Sequence, residues 1–60
     1  MGRLLTLDEV SERTRTPLAT LRYWRHMGQG PPTFKLGRRV VAREEDVEAW
    51  IAEAVEAARD

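Results

Sequence analysis

The most regular hydrophobic pattern lies at the end of the chain. In "EEDVEAWIAEAVEAARD", Val47, Trp50, Ile51, Ala54, Val55 and Ala58 recur at i, i+3, i+4, i+7, i+8 and i+11. That spacing draws one face of an α-helix and predicts a helix over Glu44 to Asp60. Glu44, Glu45 and Asp46 crowd its first turn, where the helix dipole is positive. Near the start, "LTLDEV" carries a helix opening. Thr6 is the N-cap, Glu9 three residues later completes a capping box, and Leu5 and Val10 hold the two positions of a hydrophobic staple. This predicts a short helix, roughly Leu7 to Arg13. In "RTRTPLATLRYWRHMG", Leu18, Leu21 and Trp24 repeat every three residues. At 100° per residue, Ala19, Arg22, Tyr23 and His26 fall on the opposite side. Thr16 is the expected N-cap of this second helix, Pro17 its first residue, and Gly28 its stop.

"GQGPPTF" fits neither helix nor central strand, because Gly30, Pro31 and Pro32 make it a stiff loop. The isomer at Pro31 and Pro32 is left open. "TFKLGRRVVA" then alternates like a hairpin that turns at Gly37, with Phe34, Leu36, Val40 and Ala42 expected on its buried face. A two-stranded hairpin is not stable alone, so it must lie against helices.

Charge changes this picture. The 60 residues carry ten basic and ten acidic side chains, a formal net charge of zero. The charges are nevertheless segregated. Arg13, Arg15, Arg22, Arg25, Lys35, Arg38, Arg39 and Arg43 occupy the centre with no acid among them, while seven acids and only Arg59 fill residues 44–60. Such a basic centre is the footprint expected of a polyanion binder.

Composition excludes several classes. With 60 residues one domain is expected, covering residues 1–60. There is no cysteine, which removes disulfides and thiolate metal sites, and one histidine makes no metal site by itself. No apolar run reaches the roughly 18 residues of a membrane span, and the N-terminal run is too short for a signal-peptide core. A cytoplasmic setting is expected. No catalytic set is visible: no phosphate-binding glycine loop, no Gly-x-Ser-x-Gly, and no nucleophile obviously near the lone histidine. The expectation is a non-enzyme without cofactor or metal.

Two short helices across a tight turn, a hairpin and a third helix make a mainly α chain with a small β-hairpin, a winged helix-turn-helix of three helices plus a wing. In such folds the second helix enters a DNA major groove and the first crosses the backbone. Arg38 and Arg39 at the wing turn suit the negative potential of a minor groove. The candidate DNA-binding residues are Arg15, Thr16, Ala19, Thr20, Arg22, Tyr23, Arg25, Lys35, Gly37, Arg38 and Arg39. Arg22 is the leading base reader, since guanidinium grips guanine with two hydrogen bonds. Tyr23 suits a phosphate or a thymine methyl. Lys35 suits phosphate, because ammonium lacks the planar fork. Trp24 and Trp50 are expected in the core.

The segment "TLDEVSERTRTPLATLRYWRHMGQGPPTFKLGRRVVAREEDVEAW" resembles the small excisionases, or recombination directionality factors, of phages and actinobacterial integrative elements. It also resembles the wider set of MerR-like winged-helix DNA-binding domains. The matching pieces are "TPxATLxxWR" in the second helix, "GxGPP" in the loop, "KLGRRV" in the wing and "RxEDVEAW" into the last helix. Two positions depart from the pattern: many relatives have Leu-Gly where this chain has Thr14-Arg15, and an aromatic at Arg22. The resemblance implies several copies on neighbouring direct repeats of double-stranded DNA, bending it and helping a phage or element integrase excise the element. With it goes a monomer in solution that self-associates on DNA. A chain of this length leaves no room for the long dimerisation helix of MerR-type regulators. A small transcriptional regulator of the same fold, and a protein-interaction adaptor with an acidic partner, remain as alternatives.

Overall fold

The computed structural model describes residues 2–59. Strand β1 (Leu4–Thr6) passes without a loop into helix α1 (Leu7–Thr14). Helix α2 (Leu18–Met27), strands β2 (Phe34–Leu36) and β3 (Arg39–Arg43), and helix α3 (Glu44–Ala58) follow. The fold is a winged helix-turn-helix, mainly α, with a small antiparallel sheet.

The helix openings are decided locally. Thr6 Oγ1 accepts the Glu9 N–H at 3.2 Å, and Glu9 Oε1 accepts the Thr6 N–H at 2.8 Å, so the capping box forms as expected. The staple residues Leu5 and Val10 are both buried. The backbone N–H of Thr6 holds the Glu9 carboxyl below its ordinary value, and the Arg3 guanidinium at 3.3 Å lowers it further. The second opening differs from expectation. Helix α2 begins at Leu18, its N-cap is Pro17 with φ −56 and ψ 142, and no side chain caps it. Thr16 is drawn back to α1 instead. Its N–H donates to Ser11 O at 3.1 Å, its hydroxyl to Thr14 O at 3.1 Å, and Ser11 Oγ donates to the Thr16 carbonyl at 2.5 Å. The physical reason is the proline, which biases its predecessor toward extended backbone and leaves the Thr16 hydroxyl aimed at the preceding helix.

Helix α2 stops at Gly28 as expected. The Gly28 N–H donates to Arg25 O and the Gln29 N–H to Trp24 O, the paired bonds of a Schellman turn. Gly30 then lets the loop press on the core: a Cβ there would meet Trp24 Cε3 at 2.9 Å. The described peptide bonds are all trans, Pro31 and Pro32 included.

The sheet has three strands in the order β1-β3-β2, both pairings antiparallel. β1 was not expected. It pairs Leu4 with Arg43, Leu5 with Ala42 and Thr6 with Val41. In the wing, Leu36 pairs with Arg39, so the loop is the two residues Gly37 and Arg38. Gly37 has φ +65 and Arg38 has no positive φ, the sign pattern of a type II′ turn. This register corrects the expected buried face. Directly paired residues share a face, so Phe34, Leu36, Arg39 and Val41 point one way and Lys35, Val40 and Ala42 the other. Phe34 and Leu36 are 39% and 55% exposed, whereas Ala42 is fully buried with Leu5. A loop one residue longer puts Leu36 with Val40; the two-residue loop reverses β2 as a whole. Val41, flanked by Thr6 and Phe34 on the central strand, is buried from its neighbours' sides.

The core is Leu5, Val10, Leu21, Ala42 and Val47, with Leu7, Trp24 and Ile51 packed partly against it. Trp24 packs against the core as expected, whereas Trp50 is half-buried at its margin and meets Trp24 at a tilt, ring centres 6.1 Å apart. Helix α3 starts where β3 ends. It is tied to α1 by Arg13, which reaches Glu48 at 2.8 Å and Glu44 at 3.1 Å. Those hydrogen bonds, to Glu48 first and then to Glu44, raise the Arg13 pKa. Helix α3 ends at Ala58; the expected last residue, Asp60, lies outside the described residues, as does Met1.

The Glu9 carboxylate is stabilised in the fold, so its contribution is present above the ordinary carboxylate pKa of about 4.3 and is lost as pH falls through the lowered folded value. Glu9→Gln keeps a capping-box acceptor but not the charge. Thermal melts of both proteins between about pH 7 and pH 3 should show wild type ahead at neutral pH and the gap closing in acid. A gap that stays constant across that range refutes this role for the Glu9 charge.

Candidate nucleic-acid interface

Folding sorts the basic residues into two groups. Arg3, Arg13, Arg43 and Arg59 are engaged by acids: Arg3 by Glu9, Arg13 by Glu44 and Glu48, Arg43 by Asp46 and Glu45, Arg59 by Glu56. Arg43 grips Asp46 with two bonds of 2.8 and 3.0 Å, and that contact, with Glu45 beyond it, raises its pKa. Among the described residues, Arg15, Arg22, Arg25, Lys35, Arg38 and Arg39 have no ion-pair partner, and all six are exposed. They lie at the α1–α2 turn, on α2 and on the wing. The basic centre of the sequence therefore survives folding, reduced by the two arginines that clamp α3.

Helix α2 and the wing share a surface. Arg22 and Arg39 line one open concavity of about 440 Å³ with Thr6, Asp8, Leu18 and Val40. Arg25 and His26 border a second, of about 530 Å³, against the loop at Gly28–Thr33. Across the wing, the register gives Lys35 to the face of Val40 and Arg39 to the face of Leu36, with Arg38 at the tip. The three wing cations thus spread around the hairpin rather than lying in one row.

The other expected residues are placed as follows. Ala19 and Tyr23 are exposed on α2, and Thr20 is half-buried. Thr16 is half-buried, with its hydroxyl already donating to Thr14 O. Gly37 forms the wing turn. Two residues of these elements were not singled out from sequence: Met27, 53% exposed on α2, and Asp8 in the lining of the concavity. The signal for Met27 was available, since it stands one helical turn beyond Tyr23.

Arg15 has an unusual backbone. It is the one non-glycine residue with positive φ among the described residues, at φ 55 and ψ 35. It closes α1, its N–H donating to Glu12 O at 3.3 Å. Left-handed backbone costs a side-chain-bearing residue about 1–2 kcal/mol, and glycine escapes that cost. The strain is tolerated at the point where the chain turns into α2, with the guanidinium exposed beside the other free cations.

Among the described residues, no group of His, Cys, Asp or Glu is arranged to hold a metal ion, and no helix is long and apolar enough to cross a membrane.

Relief of that strain, less the greater chain entropy of glycine, makes Arg15→Gly more stable by about 0.5 kcal/mol, or roughly 2–4 °C in melting temperature. The same change should weaken binding to duplex DNA and lower the salt slope by about one phosphate's worth. Calorimetry and fluorescence titration read the two effects separately. A variant that gains stability at unchanged affinity removes Arg15 from the interface.

No curated protein and no solved structure matches the chain. The family model described as "Helix-turn-helix domain" matches residues 4–55, from β1 through most of α3. An exposed second helix, a basic wing and that match converge: the chain belongs to the helix-turn-helix domain family, whose members bind DNA.

Proposed function

We propose that this chain is an excisionase: a non-enzymatic, cytoplasmic protein of one domain that binds specific double-stranded DNA, bends it, and directs an integrase to excise a phage or integrative element. The observation that carries the DNA-binding part is the set of six unpaired, exposed cations around one helix and one hairpin. In this reading α2 lies in the major groove, which at about 12 Å wide admits a helix. Ala19, Thr20, Arg22 and Tyr23 face the bases. Arg15, Arg25 and Lys35 meet phosphates, and Thr16 lies at the helix entry. Gly37, Arg38 and Arg39 bring the wing tip to a neighbouring minor groove, where arginine is drawn by the negative potential.

The excision part rests on the resemblance carried by the second helix, the loop, the wing and the start of α3. One recognition helix and one wing make a small footprint, so affinity must come from several copies side by side. The chain carries opposite charge on two segments, the unpaired cations of residues 15–39 and the acids of α3, of which Glu53 has no ion-pair partner among the described residues. A head-to-tail contact between such segments does not close and extends along the duplex. Copies that are monomeric in solution then load cooperatively on direct repeats, and the bend brings integrase sites together.

Two measurements test this. With about four to six phosphates neutralised, log K should fall with log salt at a slope of about −4 to −5, and Arg38→Ala with Arg39→Ala should make the slope shallower. A slope near zero removes the DNA reading and favours a protein-interaction adaptor. For the excision role, purified protein is added to a genomically adjacent integrase and its attachment sites, with a circular-permutation gel for bending. Stimulated excision with a bent complex is the expected result; DNA binding with neither points to a transcriptional regulator.

A further inference from the structure

The outward ridge of α2 is apolar where an ordinary surface helix is most polar. Leu18, Leu21 and Trp24 define the inward side. At 100° per residue Ala19 and Tyr23 lie diametrically opposite, with Met27 about 40° further round. Tyr23 and Met27 are 60% and 53% exposed, and Ala19 is exposed as well. Tyr23 makes no side-chain hydrogen bond among the described residues. Nothing in the packing of the fold requires these side chains. Arg22 and His26 edge the ridge on one side, Thr20 on the other.

We infer that the ridge Ala19–Tyr23–Met27 reads the C5-methyl groups of thymines in the major groove. This rests on the DNA-binding reading and deepens it: the site's specificity lies in methyl contacts as well as in the hydrogen bonds of Arg22. The chemistry is selective, because in the major groove only thymine presents a methyl among the four bases. Alanine brings the helix backbone close, the tyrosine ring offers an apolar face with a polar tip, and the methionine thioether adapts to irregular surfaces. Neighbouring ridge residues are four apart, about 6 Å along the helix axis, or roughly two base-pair steps of about 3.4 Å. The target should therefore carry thymines, on either strand, at about that spacing. A protein occupant fits the ridge less well. Along one edge of the strip runs Arg22, which has no ion-pair partner among the described residues, and Arg15 lies at the helix entry, so cations suited to a polyanion stand beside it.

The experiment uses the whole chain. A binding site is selected from random duplexes, and each thymine in it is then replaced by deoxyuridine, which removes the methyl and leaves every hydrogen-bonding group. At contacted positions affinity should fall about fourfold per methyl, the worth of one buried methylene. Tyr23→Ala and Met27→Ala should bind more weakly to the thymine site and lose the distinction between thymine and uracil at one position each. Because no charge changes, their salt slopes should match wild type. Specific binding that is indifferent to uracil at every position overturns the methyl reading and leaves DNA binding intact. Variants that still distinguish thymine from uracil as wild type does overturn the assignment of the ridge. Failure of the wild type to bind any duplex overturns the underlying DNA reading too.

Discussion

The pairing of β1 with β3 is the constraint on which the rest of the fold depends. A 60-residue chain buries few side chains, and here two of the core residues, Leu5 and Ala42, are direct partners across that pairing. The same pairing brings the Arg3 carbonyl to the Glu44 N–H at 2.7 Å, so an otherwise uncapped start of α3 gains a partner from the first strand. Thr6 ends β1 and caps α1 at once. One short strand thereby fixes where α1 begins, where α3 begins, and the distance between them. Arg13 then bridges α1 and α3 through Glu44 and Glu48. Exposed ion pairs of this kind add little stability singly, and their larger effect here is on position.

That position matters for charge. Were Arg13 and Arg43 turned outward, the acids of α3 would be free to approach the other cations and blunt their field. Instead Glu44, Glu45, Asp46 and Glu48 are held by the two arginines nearest to them in space. The acids at α3's start also favour its dipole. A chain with zero net charge can present a basic surface only by such sorting, and the sorting is a consequence of the sheet and not of the sequence order alone. Asp8 is the exception, an acid in the lining of the concavity that Arg22 and Arg39 share. It suits the positive end of α1, and its charge is opposite to that of the two arginines beside it.

The parts of the fold legible in the sequence are those settled within a few residues. The Thr6–Glu9 capping box, the Gly28 stop and the helical stripe of α3 each depend on neighbours in the chain, and each stands as read. The parts that were not legible depend on distant partners or on one residue of loop. Three residues, Leu4 to Thr6, cannot show an alternation, and their strand character comes entirely from β3, more than thirty residues away. Alternation along a hairpin that turns at Gly37 puts Leu36 on the buried face with Val40; the two-residue turn sets it opposite Arg39 instead. Thr16 has the residue type of a cap, and Pro17 denies it the geometry. For the candidate interface, residue types and the charge run are legible in the sequence, while the division between clamping and free arginines needs the spatial neighbours of Arg13 and Arg43.

Where local rules are broken also carries information. Natural sequences agree with their folds at most positions and depart from them mainly where another requirement intervenes. Two departures here are adjacent in space and sequence. A non-glycine residue takes left-handed backbone at Arg15, and the outward ridge of the helix that follows carries Ala19, Tyr23 and Met27 in place of charge. Neither helps the chain fold: the first strains it, and the second exposes apolar surface. A small domain has little stability to concede. Both departures sit on the helix-turn-helix unit; apolar surface is exposed elsewhere too, at Leu36 of the wing and Val55 of α3, but without left-handed backbone beside it. On the proposed reading, the strain and the apolar ridge belong together, as two costs of one DNA-binding surface.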